Sequence, residues 1–334
     1  MQIRIVCILL IVTIAANAQH KRESIPTTIL HNGDLLAVFK DNSKSPKPEL
    51  SGVQSLFNAR YEPNFDAFDP DSPGSSAGLN FEHIISGHES PHNAFTPRHG
   101  TYSLYRTGLN SVRLKRETAD SPWAVESVMN YAISEPHAID FDFRCKANDA
   151  DKFGKRNYAV FFWANYMNEV EDVALHFRGV DEPDGEEKWI RAEAPEGQHP
   201  DWRGGGTYRH ASVENDLEYD DDVQFRLNHW SYNYPRFTQP FYYGKAANGM
   251  CYILMFDRTA NQRDQIRFSL FKFKVRPGHQ RPAWDFQYVI NNVETGEPYG
   301  YRARAVWKKF VSPEDCLKEY RTWKASLDDK DKER

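Results

Sequence analysis

The segment Ala138-Ile-Asp-Phe-Asp-Phe-Arg-Cys-Lys146 alternates strictly, with Ile139, Phe141, Phe143 and Cys145 on one side and Asp140, Asp142, Arg144 and Lys146 on the other. A period of two is that of a half-buried strand; on a helix the same residues would scatter around the axis. Residues 266–274 alternate in the same way after a one-residue adjustment near Leu270-Phe271. Residues 158–163 and 250–256 are continuous apolar runs, the pattern of strands covered on both faces. Residues 102–105, 111–114, 124–133, 173–177, 188–192, 223–227, 286–290 and 299–310 add further strands, and Thr107-Gly-Leu-Asn110 is a turn between two of them. Strands do not alternate with long helices, and no Gly-rich phosphate loop occurs, which argues against a doubly wound nucleotide binder. The prediction is an all-β chain, a large antiparallel β-sandwich.

One helix is predicted over 312–327. Ser312 caps it, Pro313 occupies its first position, and Leu317, Tyr320, Trp323 and Leu327 share an apolar face. It reads as a C-terminal prop on the sheets. Residues 328–334 are a charged, solvated tail, and residues 40–51 and 62–78 are loops rich in Pro, Gly and polar side chains. Residues 1–18 read as a secretory signal peptide: a basic start, an apolar run from Ile5 to Ala16, and Ala16-Asn-Ala18 as a cleavage site. Residues 19–327 are then a single β-sandwich domain, exported to the periplasm or secreted, with no membrane insertion once the signal is removed. Cys145, Cys251 and Cys316 are left, an odd number that allows at most one bridge.

Lys and Arg number 42 and Asp and Glu 47, a formal net charge of −5, which excludes a general nucleic-acid binder. Aromatic residues make up 14% of the chain, a content suited to stacking on the apolar faces of sugars. The expected partner is an oligosaccharide.

Three stretches could carry chemistry. The first holds Glu82 and His83, followed by His88, His92, Arg98 and His99. On a regular strand Asn80 and Glu82 would share one face and Phe81 and His83 the other, so the strand alone could not present Glu82 and His83 to one ligand. No cofactor is implied; the spacing of His83, His88 and His92 is loosely that of zinc ligands, with solvated histidines in a polar loop as the bland reading. The second stretch is Trp202-Arg-Gly-Gly-Gly-Thr-Tyr-Arg-His210, read as a glycine lid beside His210 or as a flexible hairpin. The third contains His229, Tyr232, Tyr234, Arg236 and Gln239, an imidazole, phenols and a guanidinium that are also the makings of an aromatic sandwich edge. Glu126 on a strand, and Trp163, Asn165 and Tyr166 at the end of an apolar strand, are supporting candidates for a cleft rim. The acidic turn 218–222 offers oxygen ligands to calcium or is simply solvated.

At Ala77-Gly-Leu-Asn-Phe-Glu-His-Ile84, Phe161-Phe-Trp-Ala-Asn-Tyr166 and Pro282-Ala-Trp-Asp-Phe-Gln-Tyr288 the chain resembles exported bacterial proteins of polysaccharide-degradation loci that are galactose mutarotase-like β-supersandwiches. Within that group it looks most like the ulvan oligosaccharide dehydratases, which remove water from a terminal uronic acid to give a 4,5-unsaturated sugar. The resemblance implies a base for the C5 proton, a cation for the carboxylate and an acid for the departing hydroxyl. His210 or His229 is assigned as base, Tyr232 or Tyr234 as acid, and Arg236 with His83 as carboxylate binders. Glu82, Arg98, His99, Glu126, Trp163, Asn165, Tyr166 and Gln239 are assigned to substrate binding. The alternatives are a polysaccharide lyase, a glycoside hydrolase or sugar epimerase using Glu82 or Glu126, and a non-catalytic carbohydrate-binding protein.

Overall fold

A computed structural model describes residues 24–41, 51–69, 78–87, 96–193, 202–214, 217–219, 232–273 and 281–332. Among the described residues eighteen strands form three antiparallel sheets. A small sheet at the N-terminal end joins β1 (Thr27–Asn32), β2 (Leu35–Lys40) and β3 (Gly52–Asn58). A five-stranded sheet has the order β12 (Trp202–Tyr208), β16 (Asp264–Phe273), β17 (Pro282–Ile290), β9 (Ala159–Ala164) and β4 (Asn80–Ile85). The ten-stranded sheet runs through β11 (Lys188–Ala192), β10 (Leu175–Val180), β14 (Phe241–Ala246), β15 (Met250–Phe256), β18 (Pro298–Lys309), β8 (Ala138–Ala147), β7 (Val125–Ser134), β6 (Ser111–Arg116) and β5 (Ser103–Arg106), with β13 (Arg236–Phe237) pairing β10.

The alternation in β8 does what its sequence requires. Phe141 and Phe143 point inward and meet Trp163 of the five-stranded sheet at 5.3 and 4.8 Å between ring centroids. Trp163 also stacks on Phe81 and Phe286 within its own sheet. Such ring pairs add about 0.5–1.5 kcal/mol each beyond burial, so the two large sheets are joined by an aromatic layer. The small sheet closes one end of it, Phe39 against Tyr131.

The outer face of the ten-stranded sheet is covered by α2 (Pro313–Lys332), which runs five residues beyond its expected end at Leu327. Its first turn is capped by Ser312 Oγ, which accepts the Asp315 N–H. Cys316, Tyr320, Trp323 and Leu327 form its buried stripe against Phe241, Tyr243, Cys251, Ile253, Met255 and Val306. Cys145, Cys251 and Cys316 are free thiols and all are buried. No described helix is long and apolar enough to cross a membrane.

Two local expectations change. Residues 204–206, read as a lid or flexible hairpin, are the interior of edge strand β12, in register with β16. A Cβ on Gly206 would fall 1.9 Å from the Tyr232 ring, so this glycine makes room for a side chain. The irregularity at Leu270-Phe271 is no register break: Leu270 enters the main core while Phe271 joins Phe162, Ala164 and Ala283 on the opposite face. Residues 223–227 lie outside the described residues.

Candidate active site

The face of the five-stranded sheet turned away from the aromatic core carries a buried polar band between two apolar clusters. One cluster is Ile85, Tyr158, Val160 and Val289, and the other is Phe162, Ala164, Phe271 and Ala283. Such a band costs stability wherever its groups are unpaired, so its presence calls for a chemical reason.

A β-bulge in β4 builds one end of the band. Phe81 is opposite Trp163, yet His83 is opposite Phe162, so Glu82 is the extra residue. A bulge turns consecutive side chains away from strict alternation. Phe81 therefore enters the core, and His83 lies on the outer face with its ring edge against Phe162. This corrects the regular-strand expectation, in which Phe81 and His83 would share a face. His83 Nδ1 lies 4.0 Å from Glu82 Oε2. Glu82 is 1% exposed, and its Oε1 accepts Arg98 Nη1 and the Tyr166 hydroxyl, each at 2.6 Å. Arg98 comes from the short helix α1 (Thr96–His99), and Tyr166 from just beyond β9, bridged to Ala283 of β17. Burial pushes the Glu82 carboxyl above its ordinary range, and Arg98 and Tyr166 pull it back.

Asn165 is the joint of the site. Its Oδ1 accepts the Leu79 N–H at 2.8 Å and the Tyr252 hydroxyl at 3.0 Å, and its Nδ2 donates to the Trp284 carbonyl at 2.9 Å. Leu79 has φ 47°, a left-handed conformation unusual for this residue. It is held there through both backbone groups, because its carbonyl also accepts the Tyr131 hydroxyl. The strained residue stands just before β4 and fixes where the bulge begins. The Asn165 N–H donates to Asp285 Oδ1 at 2.7 Å. Asp285 is 2% exposed and makes no ion pair among the described residues. Burial drives its carboxyl well above the usual range; the Asn165 amide offsets this, and the negative charge of Glu82 adds to it. Two buried carboxyls that feel one another separate into roles. Glu82, with a guanidinium and a phenol donating to it, is the better supported of the two as an anion, and burial favours the neutral form of Asp285.

The register sets the rest of the band. Arg267 is opposite Gln287, Gln287 opposite Phe162, and Phe162 opposite His83, one row across four strands. Ser269 is opposite Asp285 and Thr207 opposite Ser269, the neighbouring row. Arg267 donates from Nε to Gln265 Oε1 and from Nη1 to the Tyr219 hydroxyl. Thr207 Oγ1, Ser269 Oγ and both amide atoms of Gln287 are buried and make no hydrogen bond among the described residues. An unsatisfied buried group costs about 1–3 kcal/mol.

Of the residues singled out from sequence, the fold brings together Glu82, His83, Arg98, Asn165 and Tyr166. Trp163 belongs to the core at 0% exposure. Glu126 is on β7 of the other sheet, with Lys115 Nζ at 3.9 Å. His210 is engaged at both ring nitrogens: Nδ1 accepts the Ser212 N–H, which makes Nε2 the donor to the Thr238 carbonyl at 3.2 Å. Tyr232 stacks on Tyr208 and packs on the main core. The Arg236 guanidinium lies over the Tyr234 ring and donates to the carbonyls of Asn233 and Val213 and to Asn233 Oδ1. Its hydrogen bonds are made within residues 213–236. Gln239 donates to Glu187 at the surface. His99 ends α1, and His88, His92 and His229 lie outside the described residues. Among the described residues no three His, Cys, Asp or Glu side chains gather to hold a metal.

Asp285, Gln287, Arg267, Ser269 and Thr207 were missed. The signal was available in residues 282–290, where Ala283, Asp285, Gln287 and Val289 alternate with Trp284, Phe286, Tyr288 and Ile290. Polar residues opposite aromatics in a strand buried along its whole length mark a polar face that is covered.

No protein-family model matches the chain, and the search of curated proteins gives no match. Solved structures do resemble it in shape. An aldose epimerase homologue from C. elegans superposes with a TM-score of 0.44 at 10% identity, covering 85% of this chain and all (100%) of the other. Galactose 1-epimerase from Lactobacillus acidophilus gives 0.36 at 8% identity, covering 85% and 98%. Heparan sulfate lyase from Pedobacter heparinus gives 0.39 at 9% identity, covering 83% of this chain and 34% of the lyase. At this level of likeness the activities of those proteins do not pass to this chain.

Proposed function

We propose that the chain is an exported carbohydrate-active lyase that eliminates water from the terminal uronic acid of an oligosaccharide. The observation that carries this reading is Glu82, held as a buried anion by Arg98 and Tyr166, with Asp285 beside it as a buried acid. Elimination needs this pairing of base and acid. Glu82 takes the C5 proton, the electrons of that bond form the C4–C5 double bond, and the C4 oxygen leaves as water with the proton from Asp285. His83 and Arg267, buried on the same face, supply cationic and hydrogen-bonding character for the sugar carboxylate. The roles first assigned to His210 and Arg236 pass to Glu82 and Arg267, because the former pair is bonded within its own loop. Export rests on residues 1–18, which lie outside the described residues.

The test is incubation of the purified chain with saturated uronic-acid oligosaccharides. Growth of the ultraviolet absorbance of an unsaturated uronate, with a product lighter by one water, supports the dehydratase. Two shorter sugars, one unsaturated, identify a polysaccharide lyase using the same acid and base. New reducing ends without that absorbance identify a hydrolase, and unchanged substrate defeats the reading.

A further inference from the structure

We infer that Cys251 of β15 and Cys316 of α2 are a disulfide-forming pair, and that oxidation joins them into a covalent staple between the helix and the outer face of the ten-stranded sheet. Of the four cysteines, Cys7 lies outside the described residues. Three pairings remain among Cys145, Cys251 and Cys316, and the sheet decides between them. Cys145 turns inward and belongs to the main core between the two large sheets. Cys251 lies on the other face, in the cluster with Ile253, Met255 and Val306 that α2 covers, and Cys316 is in that same cluster. The backbone of the sheet therefore separates Cys145 from both, because alternate side chains of a strand point to opposite faces.

Ion pairs set the helix turn of Cys316 over the strand of Cys251. Cys251 is directly opposite Lys308 of β18. Lys308 Nζ meets Asp315 Oδ2 at 2.9 Å and Glu319 Oε1 at 2.7 Å, and these two residues flank Cys316 on α2. The Cys316 N–H donates to the Ser312 carbonyl, so this turn is fixed at the capped start of the helix. Both thiols are 0% exposed, and Cys316 is the side-chain hydrogen-bond partner of Cys251. That neighbour and burial hold the Cys251 thiol above its ordinary range, so the thiolate that attacks forms before the helix docks. The step is an exchange with a disulfide oxidant, such as oxidised glutathione or a dithiol oxidoreductase. The two thiols lose two protons and two electrons and form one S–S bond, while the oxidant's S–S bond is reduced to two thiols. The closed loop spans roughly 65 residues, long enough for the link to restrict the unfolded chain strongly.

The experiment refolds the full chain from denaturant in a glutathione buffer with the oxidised form in excess, and in parallel with dithiothreitol. Maleimide labels are then counted on the denatured monomer, and linked peptides are mapped by mass spectrometry without reduction. The oxidised monomer takes two labels, at Cys7 and Cys145, where the reduced chain takes four, and its cross-linked peptides contain Cys251 and Cys316. It melts roughly 4–8 °C above the reduced chain. Cys251→Ala shows no such difference between the two conditions; where that variant does not fold, the parent carries the comparison alone. Four labels after oxidative refolding, glutathione adducts in place of the link, or a bridge that uses Cys7 or Cys145 overturn the inference. So does a Cys251–Cys316 bridge that lowers the melting temperature, because the native packing would then have to be distorted to make it.

Discussion

The Tyr166 hydroxyl donates to Glu82 Oε1 at 2.6 Å across 84 residues of sequence. The bond exists because a bulge presents Glu82 and because Tyr166 continues from β9, the strand that pairs β4. It favours the ionised form of Glu82 against the cost of burial.

Tyr166→Phe keeps the ring and removes the donor. Without it the Glu82 carboxyl rises further, so the acid limb of the pH–rate profile moves to higher pH. Turnover measured across the pH range checks this. A purely structural tyrosine would leave the limb where it was and change only the melting temperature.

Asp285→Asn separates catalysis from stability. The folded carboxyl has a raised pKa, so its contribution to stability is full below the unfolded value and is lost as pH rises through the folded one. Asparagine cannot ionise. The variant therefore melts higher than the parent at alkaline pH, and the gap closes in acid, while turnover falls about 100-fold or more through loss of the acid. Melting curves at several pH values, set beside turnover, read both effects.

Arg236→Ala tests the reassignment of the loop cation. Its three hydrogen bonds and ring contact are internal, so the expected loss is about 1–3 kcal/mol of stability with KM unchanged. A KM raised tenfold in a protein of parental stability would return Arg236 to the substrate.

How much of this was legible in the chain differs by element. The strict alternation at 138–146 and the apolar run at 250–256 fix β8 and β15, since burial on one or two faces writes itself into the pattern. The bulge at Glu82 left no such mark: one extra residue changes which side chains share a face without changing composition. Glu82, Arg98 and Tyr166 were each singled out, but their convergence depends on the pairing of β4 with β9. Asp285 was hidden because one carboxylate among aromatics looks like an exposed charge until both sides of β17 are known to be covered. His210 and Arg236 were also singled out, and the sequence does not show that each is hydrogen-bonded within the protein, His210 to the Thr238 carbonyl and Arg236 to the Asn233 carbonyl.

Glu319 governs the docking of α2. Its carboxyl takes His137 Nε2 at 3.0 Å and Lys308 Nζ at 2.7 Å, and these partners hold it down at about 2. A depressed carboxylate contributes stability above its unfolded value, lost as pH falls through the folded one. Partial exposure screens the effect to about 1–2 kcal/mol. Glu319→Gln should show that loss at neutral pH and little difference from the parent near pH 2, read from Trp323 fluorescence during unfolding; equal stability at all pH values would remove the ion cluster from the docking of the helix.

The most direct measurement is exchange of the C5 hydrogen of a uronic-acid oligosaccharide with solvent deuterium, followed by nuclear magnetic resonance for the parent and Glu82→Gln. If Glu82 is the base, the parent releases the C5 hydrogen and forms the unsaturated sugar, and the folded variant does both about 1,000-fold more slowly. A folded Glu82→Gln that releases the C5 hydrogen at the parental rate would contradict it.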